Sequence, residues 1–387
     1  MPGWGLCQGA EPGRRAASPI RAQGVAAPDP RSSNAPAVLS VGRALPGNYA
    51  DQETLTAALR AHWARQHYNA DRLEELHRAV KVRGRHLALP LAEYPALDTF
   101  KKSNDAWIRV AEELGAEAVT RALDAAGLRP SDVDQLVFVT VTGLATPSID
   151  ARLVNRLGLR RDVKRVPIFG LGCVAGAAGL ARVSDLLRGF PGEVGVLLSV
   201  ELCSLTLQRE DLSVANAVAS GIFGDGAAAV VVAGGSRPVN GAQAPRVVAT
   251  RAAFYPDTEW VMGWDFRDSG FQVVLSAQVP QITRDHIGRD VDEFLASQGL
   301  GRKDVSHWIA HTGGPKVLEA FQSALALPDG ALDRSWRSLE EVGNLSSASV
   351  LFVLGDLIDS GDPRPGDRGL LVAMGPGFCA EMVLLQW

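Results

Sequence analysis

The chain reads as an α/β protein built from two similar halves, and three observations predict this. Helical and strand segments alternate from residue 50 onward, as they do where helices cover a sheet. The run Gly234-Gly235-Ser236-Arg237-Pro238-Val239-Asn240-Gly241 is the clearest internal boundary and splits the alternating region in two. The order of elements is similar on its two sides, although the residues are not, which points to a duplicated unit.

Residues 1–45 are rich in Ala, Pro, Gly, Ser and Arg, lack hydrophobic periodicity, and are predicted to form a disordered extension. Arg14-Arg15 is not followed by the apolar run of an export signal. The first half is assigned to 46–235. Its apolar spacing predicts helices over 51–66 and 105–127, and a turn at Arg129-Pro130-Ser131-Asp132 introduces a buried strand over 133–141. Further β-branched strands are expected over 163–169, 194–200 and 227–232, with a helix of small residues after the first of them. The second half, 242–387, repeats the rhythm. It has a helix over 281–297, a strand over 305–311, helices over 316–326 and 344–358, and strands over 369–374 and 378–386 around the turn Gly375-Pro376-Gly377.

Composition narrows the function classes. With 46% hydrophobic residues, 21% charged residues and a net charge of −4, the 387-residue chain has the profile of a soluble globular protein and no basic face for nucleic acid. No window reaches the roughly 20 apolar residues of a membrane span, so a cytoplasmic protein is expected. Cys7, Cys173, Cys203 and Cys379 are far apart and form no zinc-type spacing, which predicts reduced thiols and no metal.

Cys173 is the residue with the most chemistry around it. It lies in Ile168-Phe169-Gly170-Leu171-Gly172-Cys173-Val174-Ala175-Gly176-Ala177-Ala178-Gly179, where an apolar strand stops and a helix of very small residues starts. Unsatisfied N–H groups and the positive end of that helix favour an anionic sulfur, so a thiolate nucleophile is expected. Three other readings compete. The glycines serve only close packing around a buried structural cysteine. Alternatively, Gly170-Leu171-Gly172-Cys173-Val174-Ala175 forms a dinucleotide turn with Glu201 as the ribose-binding acid, although it lies in mid-chain and a cysteine does nothing for a pyrophosphate. A papain-like hydrolase shares the order Cys, His, Asn but has a different local signature around its cysteine.

The partners a thiolate needs are His311, which closes the strand over 305–311, and Asn344, which opens the following helical segment. With Cys173 acylated, the His311 imidazole and the Asn344 amide would both donate to one oxygen, an oxyanion hole for an enolate. Decarboxylation of a malonyl thioester makes such an enolate without a strong base. Asn suits this because it donates without adding negative charge. Phe223, in Gly221-Ile222-Phe223-Gly224-Asp225-Gly226, is either an aromatic wall for the departing carboxylate or plain core.

Five ordered motifs carry a resemblance. They are Gly172-Cys173-Val174-Ala175-Gly176, Gly221-Ile222-Phe223-Gly224-Asp225-Gly226-Ala227-Ala228-Ala229, His311-Thr312-Gly313-Gly314-Pro315, Gly343-Asn344-Leu345-Ser346-Ser347-Ala348 and Gly375-Pro376-Gly377. Over about residues 45–387 the chain resembles a bacterial type III polyketide synthase of the chalcone/stilbene synthase family. The initiating ketoacyl-ACP synthases share Cys, His and Asn but carry other residues around the last two. The resemblance implies a thiolase-like, five-layered αβαβα fold of two similar halves, a homodimer, and a CoA tunnel to the buried cysteine, with no cofactor beyond the CoA thioesters that are its substrates. It implies that Cys173 carries the starter and the growing chain, that His311 and Asn344 decarboxylate malonyl-CoA, and that Phe223 orients the malonyl group. The His311 imidazole would keep Cys173 ionised.

It further implies a cavity lined by Phe223, Thr142, Thr146, Cys203, Leu205, Thr206, Trp264, Val273 and Ser346, with Arg72, Gly313, Gly314 and Lys316 holding CoA. The chain departs from plant enzymes at Glu75 and Ala79, where they have Arg and Lys, leaving Arg78, Lys81, Arg83 and Arg85 as substitutes or as a solvated face. It also departs at Thr146, which replaces a methionine, and at Cys203, which replaces a threonine. At Trp264, chalcone synthases keep a glycine, so chalcone is not the expected product. The run Met262-Gly263-Trp264-Asp265-Phe266 resembles bacterial enzymes that use acyl-CoA starters, and a resorcinol or pyrone from an acyl-CoA plus malonyl-CoA is expected. The alternative is a hydroxynaphthalene-type pentaketide primed by malonyl-CoA. A non-enzymatic scaffold would have had no reason to keep all three polar residues.

Overall fold

The computed structural model describes residues 34–63, 69–238 and 244–387. The first half contains β1 (Ala37–Ala44), β2 (Asn48–Asp51), α1 (Gln52–Trp63), α2 (Ala70–Ala79), β3 (Gly84–Leu87), α3 (Phe100–Ala126), β4 (Gln135–Thr140), α4 (Ile149–Leu157), β5 (Lys164–Phe169), α5 (Ala175–Gly189), β6 (Val194–Leu202), α6 (Val214–Ile222) and β7 (Asp225–Ala233). The second contains β8 (Arg246–Phe254), β9 (Met262–Arg267), β10 (Gly270–Leu275), α7 (Val279–Ser297), β11 (His307–Ala310), α8 (Pro315–Leu325), α9 (Asp333–Val342), α10 (Ser349–Ser360), β12 (Arg368–Gly375) and β13 (Cys379–Gln386).

Strand order makes the duplication visible. In the first half β1 pairs with β7 and β7 with β6, both antiparallel, and β6 pairs with β4 in parallel. In the second half β8 pairs with β13 and β13 with β12, both antiparallel, and β12 pairs with β11 in parallel. The halves therefore share one pairing scheme, joined where Ala37 of β1 meets Arg246 of β8, and the first half adds β5 beyond β4.

Side-chain alternation along these strands sorts the core into layers. Val137 and Val139 of β4 and Leu371 and Ala373 of β12 face a shared core with α5 and α10, which lie between the halves. Leu136 and Phe138 face the opposite way, onto α3. Leu370 and Val372 face α7 and α8. The result is the five-layered αβαβα, thiolase-like arrangement. Both strand sets are apolar on two faces, as expected where helices cover each side.

One boundary needs correction. The expected disordered extension ended at residue 45, but Ala37–Ala44 is a strand held between β7 and β8, with Val38 fully buried. Its apolar run is too short to show a period beside Pro36 and Gly42, and its pairing partners lie about 200 residues away in sequence. Residues 1–33 of that expectation fall outside the described residues, as do residues 239–241 of the expected boundary.

Candidate active site

Two central helices bring the key side chains together. Cys173 lies on a short 3-10 turn, Gly172–Val174, between β5 and α5, and Ser346 opens a matching turn, Ser346–Ala348, ahead of α10. Close approach of the two requires small residues. A Cβ on Gly176 would stand 2.2 Å from the Ser347 carbonyl oxygen. Gly172 has φ +57°, and a Cβ there would meet Pro376 Cδ at 2.6 Å, so the Gly375-Pro376-Gly377 loop can lie against the nucleophile turn. Ser346 adopts φ +49°, a costly conformation for a residue with a Cβ, and its hydroxyl oxygen is 3.6 Å from Cys173 Sγ.

Asn344 is oriented by its own backbone. Its Oδ1 accepts from the Ser346 N–H at 2.8 Å and from the Ser349 hydroxyl at 3.3 Å. Those two bonds fix the amide, so its NH2 is the end left to act as donor. The Asn344 N–H donates to the Ile222 carbonyl and the Gly224 N–H to the Asn344 carbonyl, a bridge that ties Phe223 to Asn344. His311 follows β11, its N–H bonded to the Val372 carbonyl, and its buried Nδ1 has no partner among the described residues.

Cys173, His311, Asn344, Ser346 and Phe223 all line one cavity of about 530 Å³. Arg72 from α2, and Gly313, Gly314 and Lys316 before and within α8, line the same cavity, with Arg72 and Lys316 exposed. Arg72 is also paired with Glu75 at 3.0 Å. Trp264 of β9 and Val273 of β10 sit directly opposite one another, and with Cys203 they form a wall of the cavity. An edge-to-face contact with Phe271 holds the Trp264 ring.

Several expected residues lie elsewhere. Val141 lines the cavity, whereas its neighbour Thr142 donates to Glu201 at 2.9 Å and accepts from Trp107 Nε1 at 3.2 Å. Thr146 is exposed in the loop before α4, and Leu205 is buried against α3. Thr206 lines an adjoining cavity. Arg78, Lys81 and Arg83 border a separate surface groove rather than this cavity, and Arg85 is buried.

Electrostatics also corrects the thiolate expectation. Burial pushes Cys173 up to about 12, opposed by the Ser346 hydrogen bond. Burial alone holds His311 down to about 4. Removing each ion from water favours thiol over thiolate and neutral imidazole over imidazolium, against the pull of the helix end. Sequence reasoning also missed the role of Glu201, whose only cue was an acid at the end of an apolar strand. Fully buried, it accepts from the Val141 N–H at 3.1 Å and from the hydroxyls of Thr140, Thr142 and Ser347, which leaves no ribose site there. Burial raises its carboxyl to about 7.

Among the described residues no cluster of His, Cys, Asp or Glu has the form of a metal site, and no helix is long and apolar enough to cross a membrane. Family models for the N-terminal and C-terminal domains of chalcone and stilbene synthases match residues 27–238 and 246–387. A 1,3,6,8-tetrahydroxynaphthalene synthase of Streptomyces peucetius is 58% identical over 320 residues, covering 82% of this chain and 85% of that protein. A putative chalcone synthase of Bacillus subtilis is 34% identical over 358 residues, covering 90% of this chain and 98% of that protein. The crystal structure of 1,3,6,8-tetrahydroxynaphthalene synthase from Streptomyces coelicolor, a bacterial type III polyketide synthase, superposes with a TM-score of 0.85. It has 31% identity and covers 91% of this chain and 99% of that one.

Proposed function

Because this chain belongs to the chalcone/stilbene synthase family as a bacterial type III polyketide synthase that condenses malonyl-CoA, we propose that it uses malonyl-CoA as both starter and extender and closes a pentaketide to 1,3,6,8-tetrahydroxynaphthalene. The observation that carries this reading is the 58% identity to the Streptomyces peucetius enzyme over most of both chains. It reverses the order expected from the sequence, where an acyl-CoA starter came first. The bulky Trp264 and the Val273 opposite it line the cavity that holds Cys173, which agrees with a small starter. The chemistry balances: five malonyl-CoA give one tetrahydroxynaphthalene, five CO2, five CoA and one water.

In this reading Cys173 takes the acyl group from CoA. Its proton passes to the His311 imidazole as the sulfur attacks, and on to the CoA sulfur as the acyl–CoA bond breaks, which leaves His311 neutral beside the acylated cysteine. On the next malonyl-CoA the C–carboxylate bond breaks, and the electron pair moves onto the thioester as an enolate. The Asn344 amide and the His311 ring donate to that oxygen. The nascent carbanion attacks the acyl carbon on Cys173, the C–S bond breaks to release the cysteine sulfur, and the lengthened chain, now a CoA thioester, is passed back to Cys173 for the next round. Phe223, tied to Asn344 through the backbone, gives the leaving carboxylate an apolar surface. Arg72, Gly313, Gly314 and Lys316 sit where the CoA moiety would enter. A homodimer is part of the proposal, with Leu144, Thr146 and Phe169 exposed beside the edge strand β5 as the surface it would cover. Sedimentation equilibrium tests it, and a monomer would count against it.

The decisive experiment supplies the purified chain with labelled malonyl-CoA, with and without fatty acyl-CoA starters. The tetrahydroxynaphthalene should form from malonyl-CoA alone. Product that appears only when an acyl-CoA starter is added would overturn the assignment.

A further inference from the structure

A second cavity, of about 420 Å³, adjoins the first across the shared wall of Cys203, Phe223, Trp264 and Val273. Leu55, Ala58 and Leu59 of α1 and Leu87 and Leu91 make much of its surface apolar, yet Arg85 also lines it. We propose that this cavity is a carboxylate-binding subsite that receives the starter-derived end of the growing chain, with Arg85 as the residue that recognises it. The inference rests on the malonyl-primed reading above.

Arg85 is only 3% exposed. Its Nη1 donates to the carbonyls of Ser220 at 2.6 Å and Phe223 at 3.0 Å, while its buried Nε has no partner among the described residues. Its interactions with described residues include no ion pair. The guanidinium feels the Asp225 carboxylate, but the oxygens of that acid accept from the Ala88 N–H at 2.6 Å, the Ser204 N–H at 2.8 Å and the Ser204 hydroxyl. Arg209, the other arginine of this cavity, spends its donors on the carbonyls of Pro95 and Leu97. Asp225 supplies counter-charge but no hydrogen bond to the guanidinium, so donors of the buried fork are left for a ligand, and its planar geometry matches a carboxylate.

A malonyl starter supplies such an anion. Attached to Cys173 through its thioester, it keeps a carboxylate at its far end, and each extension carries that end two carbons farther from the sulfur. The naphthalene product has ten ring carbons and no methyl group, so the starter's terminal carbon must itself become a nucleophile. Loss of CO2 achieves this. The C–carboxylate bond breaks, the electron pair stays on the terminal carbon, that carbon bonds to the thioester carbonyl, and the thiolate departs with the charge. Holding the carboxylate on Arg85 until the chain is complete protects this last step from early decarboxylation, which would leave an unreactive methyl end.

The test uses the purified full chain with malonyl-CoA as sole substrate and compares the pentaketide with short, methyl-ended pyrones. Arg85→Gln should lower the pentaketide-to-pyrone ratio by about tenfold or more while total malonyl-CoA consumption stays within about twofold, and Arg85→Lys should restore most of the ratio. A ratio unchanged by Arg85→Gln, or equal loss of both products, overturns the subsite. Because Arg85 also holds two carbonyls, Ala219→Phe supplies a second reading, filling the cavity from α6 without removing those bonds. It should shift output to short pyrones, and undiminished pentaketide would refute the proposal. A wild-type chain that makes no pentaketide from malonyl-CoA alone would refute the starter reading, and the subsite with it, a result distinct from an unchanged ratio.

Discussion

Three glycines of α5 make a graded test of how closely the central helices must pack. At Gly176 an added methyl would sit 2.2 Å from the Ser347 carbonyl oxygen, so backbone must move by more than an ångström to restore ordinary contact at roughly 3.5 Å. Overpacking of this kind costs about 1–3 kcal/mol, and the backbone neighbour argues for the upper end. The better helix propensity of alanine returns about 1 kcal/mol. Gly176→Ala should therefore lose about 2 kcal/mol. At Gly179 the methyl meets Leu197 Cδ1 at 2.5 Å, the tip of a side chain that can turn away, so the two terms should nearly cancel. At Gly189 nothing lies within 4 Å, and Gly189→Ala should gain up to about 1 kcal/mol by restricting the unfolded chain. Urea unfolding followed by circular dichroism would rank the three. Gly176→Ala should also slow acylation of Cys173, since the displaced turn carries Ser346. A Gly176→Ala chain as stable as Gly189→Ala would refute the packing argument.

Asn344→Ala removes one oxyanion donor and should slow malonyl-CoA decarboxylation roughly a hundred- to a thousandfold. It also orphans the Ser346 N–H, at a cost of about 1–3 kcal/mol; unchanged CO2 release would contradict the assigned role. Glu201 should imprint a pH dependence on stability. Its carboxyl is raised from 4.5 to about 7 in the folded state, so the folded chain binds more proton than the unfolded one between those values. Stability from this group is present below pH 4.5 and is lost as pH rises through 7, about 3 kcal/mol in all. His311, held down to about 4, acts with the opposite sign as pH falls from 6.5. Thermal unfolding of Glu201→Gln and wild type at each pH isolates the Glu201 part, and parallel curves across pH 5–8 would show that its protonation does not change on folding.

Much of the candidate site was legible because its signals are local. A strand that ends in glycines, a cysteine, then a helix of Ala and Gly is readable without knowing what packs against it, and so are the residue types at 311 and 344. The misplaced residues share one cause. Thr142 and Val141 are adjacent in the bend that follows β4, and the path of that bend, set by the hydrogen bonds of Thr142 to Glu201 and Trp107, decides that Val141 meets the cavity. Arg85 looked like one more exposed cation in a basic run, and its burial follows from the packing of β3 against β7 and α9.

The sequence by itself determined the α/β class, the two halves, and which cysteine, histidine and asparagine stand at the ends of their local elements, since each depends on residue type and near-neighbour order. Tertiary structure alone decided that Ala37–Ala44 is an interior strand, that burial opposes the charged forms of Cys173 and His311, that Asn344 spends its Oδ1 on the Ser346 N–H, and that a second cavity is lined by a buried cation. Those outcomes are set by what is brought near from far along the chain and by how much water it displaces, and neither is encoded in any short stretch of residues.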